Sequence, residues 1–161
     1  MANIVVRYCV KQLRPDLLYL AVFDGHGGTL CADYCQEHFE RHILHHLERE
    51  ADMLVVLDKS FHDVNRSFER WYTSRREHLA RPGSSGSTAT VALVQDNHML
   101  YLGHCGDSRA ILCRENQARS LTRDHCASDP DEAARIKKSG GRIVTDSIGR
   151  TMVNNRLAMS R

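Results

Sequence analysis

The spacing of apolar residues divides the first half of the chain into a strand and two helices. Residues 17–23 are continuously apolar and are bounded by a proline and a glycine, which predicts a strand buried on both faces. Apolar residues then recur every fourth position over residues 35–47, and at steps of four and three over residues 57–71. Both patterns predict amphipathic helices that face a core. Thr29 stands where it would cap the first helix.

Shorter strands are predicted in the second half of the chain. The polar, basic segment 73–86 is predicted as an exposed loop. Strands are expected at residues 87–94, 99–105 and 109–113, with Asp, Asn and Gly residues in the turns between them.

A third helix is indicated by signals at both of its ends. Asp129 is a typical N-cap, Glu132 lies three residues after it as a capping-box partner, and Gly140 follows as a stop. A hairpin is expected over residues 142–161. Because helices and strand-rich blocks are segregated along the chain, the fold class is predicted to be α+β.

Composition and charge exclude several classes of protein. With 161 residues, of which 42% are hydrophobic, the chain can form one domain with a core. A net charge of +2 does not indicate nucleic-acid binding, and no aromatic residues interleave with Arg75, Arg76 and Arg81. The apolar run 17–23 is too short to cross a bilayer, and no targeting segment is recognised. Six cysteines without a CxxC pair favour a reducing, intracellular compartment.

The first candidate for chemistry is Asp24, which follows the predicted strand and precedes a glycine-rich turn. A carboxylate and a backbone carbonyl, such as that of Gly25, are oxygen ligands that Mg²⁺ and Mn²⁺ prefer. His26 adds a proton donor beside them. A tight turn with an Asp cap and an incidental histidine explains these residues equally well.

Asp107 lies in a second acidic turn, between two predicted strands. Gly-Asp-Ser is common turn chemistry, so this turn alone indicates no ligand. On the first helix, the four histidines His38, His42, His45 and His46 have spacing that could suit Zn²⁺, but a solvated or packed face is favoured. Cys31 and Cys35, one turn apart, are interpreted as packing residues.

Six motifs, in order, resemble those of the PP2C (PPM) family of metal-dependent protein serine/threonine phosphatases. They are DGHGG at residues 24–28, GSTAT at 86–90, GDSRA at 106–110, LTRDH at 121–125, RIKKSGG at 135–141 and RLAMSR at 156–161. The segments around residues 33–35 and 154–156 resemble a mitochondrial member of the family. That likeness implies the mitochondrial matrix; without it, a cytoplasmic or nuclear protein is expected.

The resemblance implies a specific chemistry. Asp24 would bridge two Mg²⁺ or Mn²⁺ ions, the Gly25 carbonyl would ligate one of them, and Asp107 would help to hold a third, weaker ion. A metal-activated water would attack the phosphate, and His26 would protonate the leaving alkoxide. The implied substrate is a phosphorylated protein and the implied state a monomer, with no nucleic-acid or membrane partner.

The resemblance also implies a fold, and the chain departs from it. The expected architecture is part of an α-β-β-α sandwich of antiparallel sheets flanked by helices, forming one partial domain over residues 1–161 and truncated at both ends. Val5 and Val6 stand where the family has an acidic pair, and two further metal-binding aspartates are expected beyond Arg161. We therefore predict that the isolated chain has little or no activity. The alternative is an inactive product that binds phosphatase substrates or regulators as a decoy.

Overall fold

The computed structural model describes residues 5–75, 85–154 and 157–161. The described part contains three helices and nine strands. Their bounds, in chain order, are β1 Val5–Arg14, β2 Leu17–His26, α1 Leu30–Leu47, α2 Met53–Arg75, β3 Gly86–Ser87, β4 Ala89–Gln95, β5 Met99–Cys105, β6 Ile111–Arg114, β7 Gln117–Ser120, α3 Pro130–Lys138, β8 Ile143–Thr145 and β9 Thr151–Val153. These elements form two compact units, the first ending at His104 and the second beginning at Cys105.

The first unit is a sheet with a pair of helices packed against it. Its strands follow the order β1-β2-β4-β5, with the short β3 also paired to β2, and β2 is antiparallel to β1, β3 and β4. Apolar residues of β2, β4, α1 and α2 form one buried cluster, in which Phe23 of β2 and Phe39 of α1 have ring centroids 5.6 Å apart. The α+β class and the antiparallel pairing predicted from the sequence are confirmed.

Strand β2 is buried on one face only, so the prediction of two buried faces is wrong. Leu17, Tyr19 and Phe23 are at most 1% exposed, whereas Val22 is 41% exposed. Successive side chains of a strand point to opposite faces, and the helices cover the face that carries Tyr19. Val6, Tyr8 and Val22 share the other face and are all exposed.

Tyr19 carries a polar atom into this core. Its hydroxyl is buried and has no hydrogen-bond partner among the described residues. Burial, followed by the nearby Cys9, Glu40 and Cys35, raises the pKa of the phenol far above its usual value, so the hydroxyl keeps its proton. A buried hydroxyl without a partner costs free energy that an apolar ring would not.

We therefore expect Tyr19→Phe to increase the free energy of unfolding by about 1 kcal/mol. Urea unfolding followed by the fluorescence of Trp71, the single tryptophan, measures this change. Tyr8→Phe, at a side chain that is 69% exposed, removes the same atom from solvent and should change little. Destabilisation by Tyr19→Phe would show that the hydroxyl is satisfied, for example by an internal water.

The prediction of a loop over residues 73–86 is wrong for the first residues of that range. Helix α2 continues to Arg75, whose guanidinium lies 5.0 Å from the centroid of the Trp71 ring. That contact favours the helical conformation of the last turn because cations are attracted to an aromatic face. Residues 76–84, which include Arg76 and Arg81, lie outside the described residues.

The second unit combines helix α3 with two antiparallel hairpins, β6-β7 and β8-β9. The final hairpin was predicted, whereas β7 was not. The predicted N-cap is confirmed, because Asp129 accepts from the N–H groups of Asp131 and Glu132. The other half of the capping box is wrong: the Glu132 side chain binds Arg135, Ser160 and Arg161 instead.

Candidate active-site turn

Strand β2 ends in Asp24, Gly25 and His26, which lead into the turn before α1. Gly27 and Gly28 follow with φ values of 65° and 135°. Glycine adopts such conformations without steric cost, whereas residues with a Cβ rarely do. The chain can therefore reverse from strand to helix within a few residues, leaving Asp24 to His26 at the end of the sheet.

Thr88 holds the backbone of Asp24. The Asp24 N–H donates to Thr88 Oγ1 at 3.1 Å, and the Thr88 N–H donates to the Asp24 carbonyl at 2.9 Å. Thr88 is fully buried, so water does not compete for these bonds. It lies between β3 and β4, where the strand predicted over residues 87–94 is interrupted. At this interruption the Thr88 hydroxyl accepts a hydrogen bond from the backbone of Asp24.

Gly86 leaves the space that the His26 imidazole occupies. The two residues are paired across β2 and β3. A Cβ added at Gly86 would lie 2.2 Å from His26 Nε2 and 2.6 Å from His26 Cε1, which is far inside van der Waals contact. The ring therefore lies over the Gly86 backbone, and a side chain at that position would displace it.

The first turn of α1 is held by Ser85 rather than by Thr29. The Cys31 N–H donates to Ser85 Oγ at 3.1 Å. Thr29 is the N-cap residue, as predicted, but it has helical backbone angles and makes no side-chain capping bond. A capping hydroxyl normally needs extended backbone at the N-cap. Residues 85–88 thus contact both α1 and the end of β2.

The opposite side of the turn is formed by β1. In the antiparallel register, Val6 is directly opposite Asp24 and Val5 is opposite Gly25. A Cβ added at Gly25 would lie 3.2 Å from the Val5 carbonyl oxygen and 3.1 Å from Ala32 Cβ, so Gly25 is closely packed between β1 and α1. Directly opposed residues share one face of a sheet. Asp24 therefore faces an aliphatic side chain where a second carboxylate could have stood.

This donor set does not fit a pair of divalent ions. The turn brings one carboxylate, Asp24, and the Gly25 carbonyl as candidate oxygen ligands, and the neighbouring β1 positions are valines. The described residues include no group of three or more His, Cys, Asp or Glu side chains that could hold a metal ion. Mg²⁺ and Mn²⁺ sites need several oxygen ligands in a near-octahedral arrangement, so these residues alone would not hold the ions.

Asp107 belongs to the second unit, where it is partly buried in the turn after β5. The adjacent Gly106 N–H donates to His125 Nδ1 at 3.1 Å, and the His125 N–H donates to the Gly106 carbonyl at 2.9 Å. Arg109 binds Asp124 through two hydrogen bonds of 2.9 and 2.6 Å. The motifs at residues 106–110 and 121–125 therefore stabilise one another.

The end of the chain packs onto α3 through a buried carboxylate. Glu132 is 6% exposed and accepts from Arg161 Nη2 at 2.7 Å, Arg135 Nη2 at 2.8 Å and Ser160 Oγ at 2.6 Å. Arg161, then Arg135, hold the Glu132 pKa well below its usual value. Arg161, at the end of the motif at residues 156–161, thus neutralises the negative charge of Glu132 on α3. Arg156 of the same motif lies outside the described residues.

The histidine-rich face of α1 packs against α2 at one position. The Nε2 atom of the buried His46 lies 2.8 Å from Asp63 Oδ2 on α2, so this histidine is packed between the two helices. Burial lowers the pKa of His42, and the cation Arg41 lowers it further. No metal-holding group that includes these histidines occurs in the described part of the chain.

The match to a family model decides the affiliation of the chain. The model of protein phosphatase 2C, PP2C, matches residues 7–161. The chain belongs to the PP2C family. The match spans all the motifs named above, and it confirms the resemblance that those motifs indicate.

Individual relatives agree with this affiliation. The chain is 44% identical over 158 residues to a mitochondrial protein phosphatase 1K of Xenopus laevis, covering 96% of this chain and 41% of the relative. It is 39% identical over 147 residues to protein phosphatase 2C 56 of Arabidopsis thaliana, covering 89% of this chain and 33% of the relative. The chain thus spans about two fifths or less of these PP2C relatives.

Solved structures share the fold. A C. elegans sex determining protein matches with a TM-score of 0.82 and 28% identity, covering 96% of this chain and 39% of that one. Serine-threonine phosphatase 2C from Toxoplasma gondii matches with a TM-score of 0.73 and 17% identity, covering 94% and 55%. None of the helices in the described segments is long and apolar enough to cross a membrane.

The sequence indicated the turn but not the residues that support it. Ser85, Gly86 and Thr88 lie more than 50 positions along the chain from the atoms they contact, so no local periodicity connects them. The available signal was the GSTAT motif itself, which indicated the family and the start of a strand but not these contacts. Its small and hydroxylated residues are those that allow close approach and accept backbone hydrogen bonds.

Proposed function

We propose that this protein is a serine/threonine phosphatase that removes phosphate from phosphorylated proteins, with the Asp24–His26 turn as one wall of its active site. Membership of the PP2C family supports the reaction class. The observation that supports the location is the fixation of Asp24 and His26 by Thr88 and Gly86.

Within this proposal, each residue of the turn has a role. Asp24 and the Gly25 carbonyl would contribute oxygen ligands to Mg²⁺ or Mn²⁺, and Asp107 would contribute to a further, weaker ion. When bound, such ions activate water as a nucleophile. His26 would donate a proton to the leaving serine or threonine oxygen. The described residues supply too few ligands to hold these ions by themselves.

A second function is favoured by one observation, the register that places Val6 opposite Asp24. A turn that presents a single carboxylate beside a valine can contact a phosphoprotein or a regulator without hydrolysing it. We keep this inactive binding or decoy module as the alternative. The mitochondrial name of the Xenopus laevis relative extends the proposal to a mitochondrial location, and a monomer remains our expectation.

The experiment that separates these functions adds the missing charge. Val6→Asp places a second carboxylate opposite Asp24, with about 5 Å between the Cβ atoms of opposed residues. We expect the unchanged chain to bind Mn²⁺ weakly, with a dissociation constant of about 1 mM or weaker, and Val6→Asp to bind at least about tenfold more tightly because carboxylate number sets affinity. Isothermal titration calorimetry measures both.

The matched control is Tyr8→Asp, which adds the same charge to the same face of β1 opposite Val22. It should not improve Mn²⁺ binding, and Asp24→Ala should abolish the gain of Val6→Asp. Release of phosphate from a phosphothreonine peptide is assayed in parallel. Turnover that appears with Val6→Asp and is abolished by Asp24→Ala would support the phosphatase, and turnover already present in the unchanged chain would refute its predicted inactivity. Peptide binding without turnover, even after Val6→Asp, would support the alternative.

A further inference from the structure

Two cysteines lie in the first turns of α1, next to the candidate active-site turn. Cys31 and Cys35 are four positions apart in the helix, which places their Cα atoms about 6 Å apart on one face. Cys35 is 6% exposed, whereas Cys31 is partly exposed and so can be reached by a small oxidant. A hydrogen bond from the Cys35 thiol lowers the pKa of Cys31 against the opposing effect of burial.

Other cysteines of the chain lack this environment. Burial raises the pKa values of Cys9, Cys105 and Cys126. Cys113 is exposed on β6, without a helix terminus beside it. Reactivity of a thiol follows its thiolate fraction and its access, and a helix N-terminus stabilises negative charge. Cys31 therefore combines a helix N-terminus, access and an adjacent second thiol.

We propose that Cys31 and Cys35 form a peroxide-sensitive dithiol whose closure to a disulfide distorts the candidate active-site turn. The Cys31 thiolate attacks hydrogen peroxide, takes one oxygen as sulfenic acid and releases the other oxygen as water after protonation. The Cys35 thiol then attacks the sulfenic sulfur, an S–S bond forms, and a second water leaves. Two thiols are oxidised and one peroxide is reduced, so atoms and electrons balance.

Closure of this disulfide must change the helix. The Cβ atoms of residues four apart in a helix are separated by about 5–6 Å, whereas a disulfide needs about 3.5–4.5 Å. The first turn of α1 therefore has to shift when the bond forms. A reductant such as a dithiol reverses the reaction, so the distortion is a switch rather than damage.

The shift would reach the turn through two contacts already present. Ala32, between the two cysteines, packs against Gly25, since a Cβ there would lie 3.1 Å from Ala32 Cβ. The Cys31 N–H binds Ser85 Oγ at 3.1 Å, and Ser85 precedes Gly86, over which the His26 ring lies. Moving Cys31 thus disturbs both Gly25 and the support of His26.

Oxidation itself does not depend on the proposed phosphatase activity; only its interpretation as regulation of that site does. The test therefore contains no activity assay. The full chain is treated with hydrogen peroxide, and peptides are analysed by mass spectrometry without reduction. We expect a peptide that has lost two hydrogens, with Cys31 and Cys35 linked, and loss of the Cys31 thiol about fivefold faster than that of Cys113.

Three variants keep the test decisive. In Cys35→Ser, Cys31 should stop at sulfenic acid, which dimedone traps; Cys31→Ser should abolish the fast phase, and Cys113→Ser should leave it unchanged. NMR amide shifts of Gly25 and Gly86 should change on oxidation and return with dithiothreitol. Oxidation of Cys113 before Cys31, or no Cys31–Cys35 link, would overturn the dithiol. A link that leaves both amide shifts unchanged would overturn the coupling to the turn.

Discussion

Replacing Glu132 with glutamine is expected to destabilise the second unit by about 3 kcal/mol, the lower end of the range for breaking a buried ion pair. The carboxylate is 6% exposed and neutralises Arg135 and Arg161. Glutamine keeps the size of the side chain but leaves two guanidinium groups without a counter-charge. The value lies at the lower end because both arginine side chains are partly exposed, at 40% and 45%.

Hydrogen exchange of peptides from residues 125–161 measures this change locally, because that segment opens as the contacts of Glu132 are lost. Asp131→Asn is the matched control. It removes the same charge from the same first turn of α3, but Asp131 binds Arg123 at the surface, where its side chain is 80% exposed, and such pairs contribute little. Equal protection loss in both variants would show that the helix terminus, not the buried ion pair, sets the stability.

The effect of Glu132→Gln should also depend on pH in one direction. Arg161 and Arg135 lower the pKa of Glu132 in the folded state below its ordinary value of 4.5. A carboxyl with a depressed folded pKa contributes its full stabilisation above the unfolded pKa and loses it as the pH falls through the folded pKa. The stability difference between the wild type and Glu132→Gln should therefore be constant near pH 7 and shrink below about pH 4.5. A difference that grows on acidification would contradict this linkage.

The sequence predicts an element correctly where the residues that stabilise it are close neighbours along the chain. Asp129 caps α3 as expected, because the cap and the backbone N–H groups that it accepts from are neighbours. The strand Met99–Cys105 was predicted at its observed bounds. Glu132 was misassigned because its partners, Ser160 and Arg161, lie almost 30 residues away. A capping-box pattern does not show that a distant arginine will bind the glutamate in place of the backbone N–H.

Tertiary context explains the other errors. The continuous apolar run of β2 is compatible with burial on two faces, but which face is covered depends on where α1 and α2 pack. Likewise, Thr29 precedes α1 as a cap should, yet the bond is made by Ser85, 54 residues from its donor. The turn at Asp24 could be located because strand, glycines and motif coincide there. Its metal chemistry stays a prediction, as do the roles of His26 and Asp107.

The register between β1 and β2 shows which residue lies opposite Asp24, which the sequence alone does not establish. The family resemblance predicts an acidic pair at the positions of Val5 and Val6, and the sheet pairs Val6 with Asp24. The second carboxylate is therefore missing because the side chain directly opposite Asp24 is that of Val6. That makes the metal question testable by a single substitution on β1 rather than by reconstruction of a whole site.

Gly86→Ala is expected to displace the His26 imidazole and to lower the free energy of unfolding by about 1–2 kcal/mol, as overpacked sites do. The added Cβ would lie 2.2 Å from Nε2, so either the ring leaves its place over the backbone or β3 separates from β2. Both outcomes are visible in the NMR signal of the His26 Cε1 proton, and urea unfolding followed by Trp71 fluorescence gives the energy. We expect ring displacement to dominate, because a side chain moves more easily than a paired strand.

A double-mutant cycle identifies the cause. If the clash with the imidazole is responsible, Gly86→Ala should cost much less in a His26→Ala background, since the ring is then absent and the two changes are not additive. Ser87→Ala, at the next residue of β3, is the control for a generally weakened strand and should leave the His26 signal in place. Additive effects of Gly86→Ala and His26→Ala would mean that Gly86 is needed by the backbone alone. The imidazole would then be positioned by other contacts, and the support for a catalytic histidine at the end of β2 would be lost.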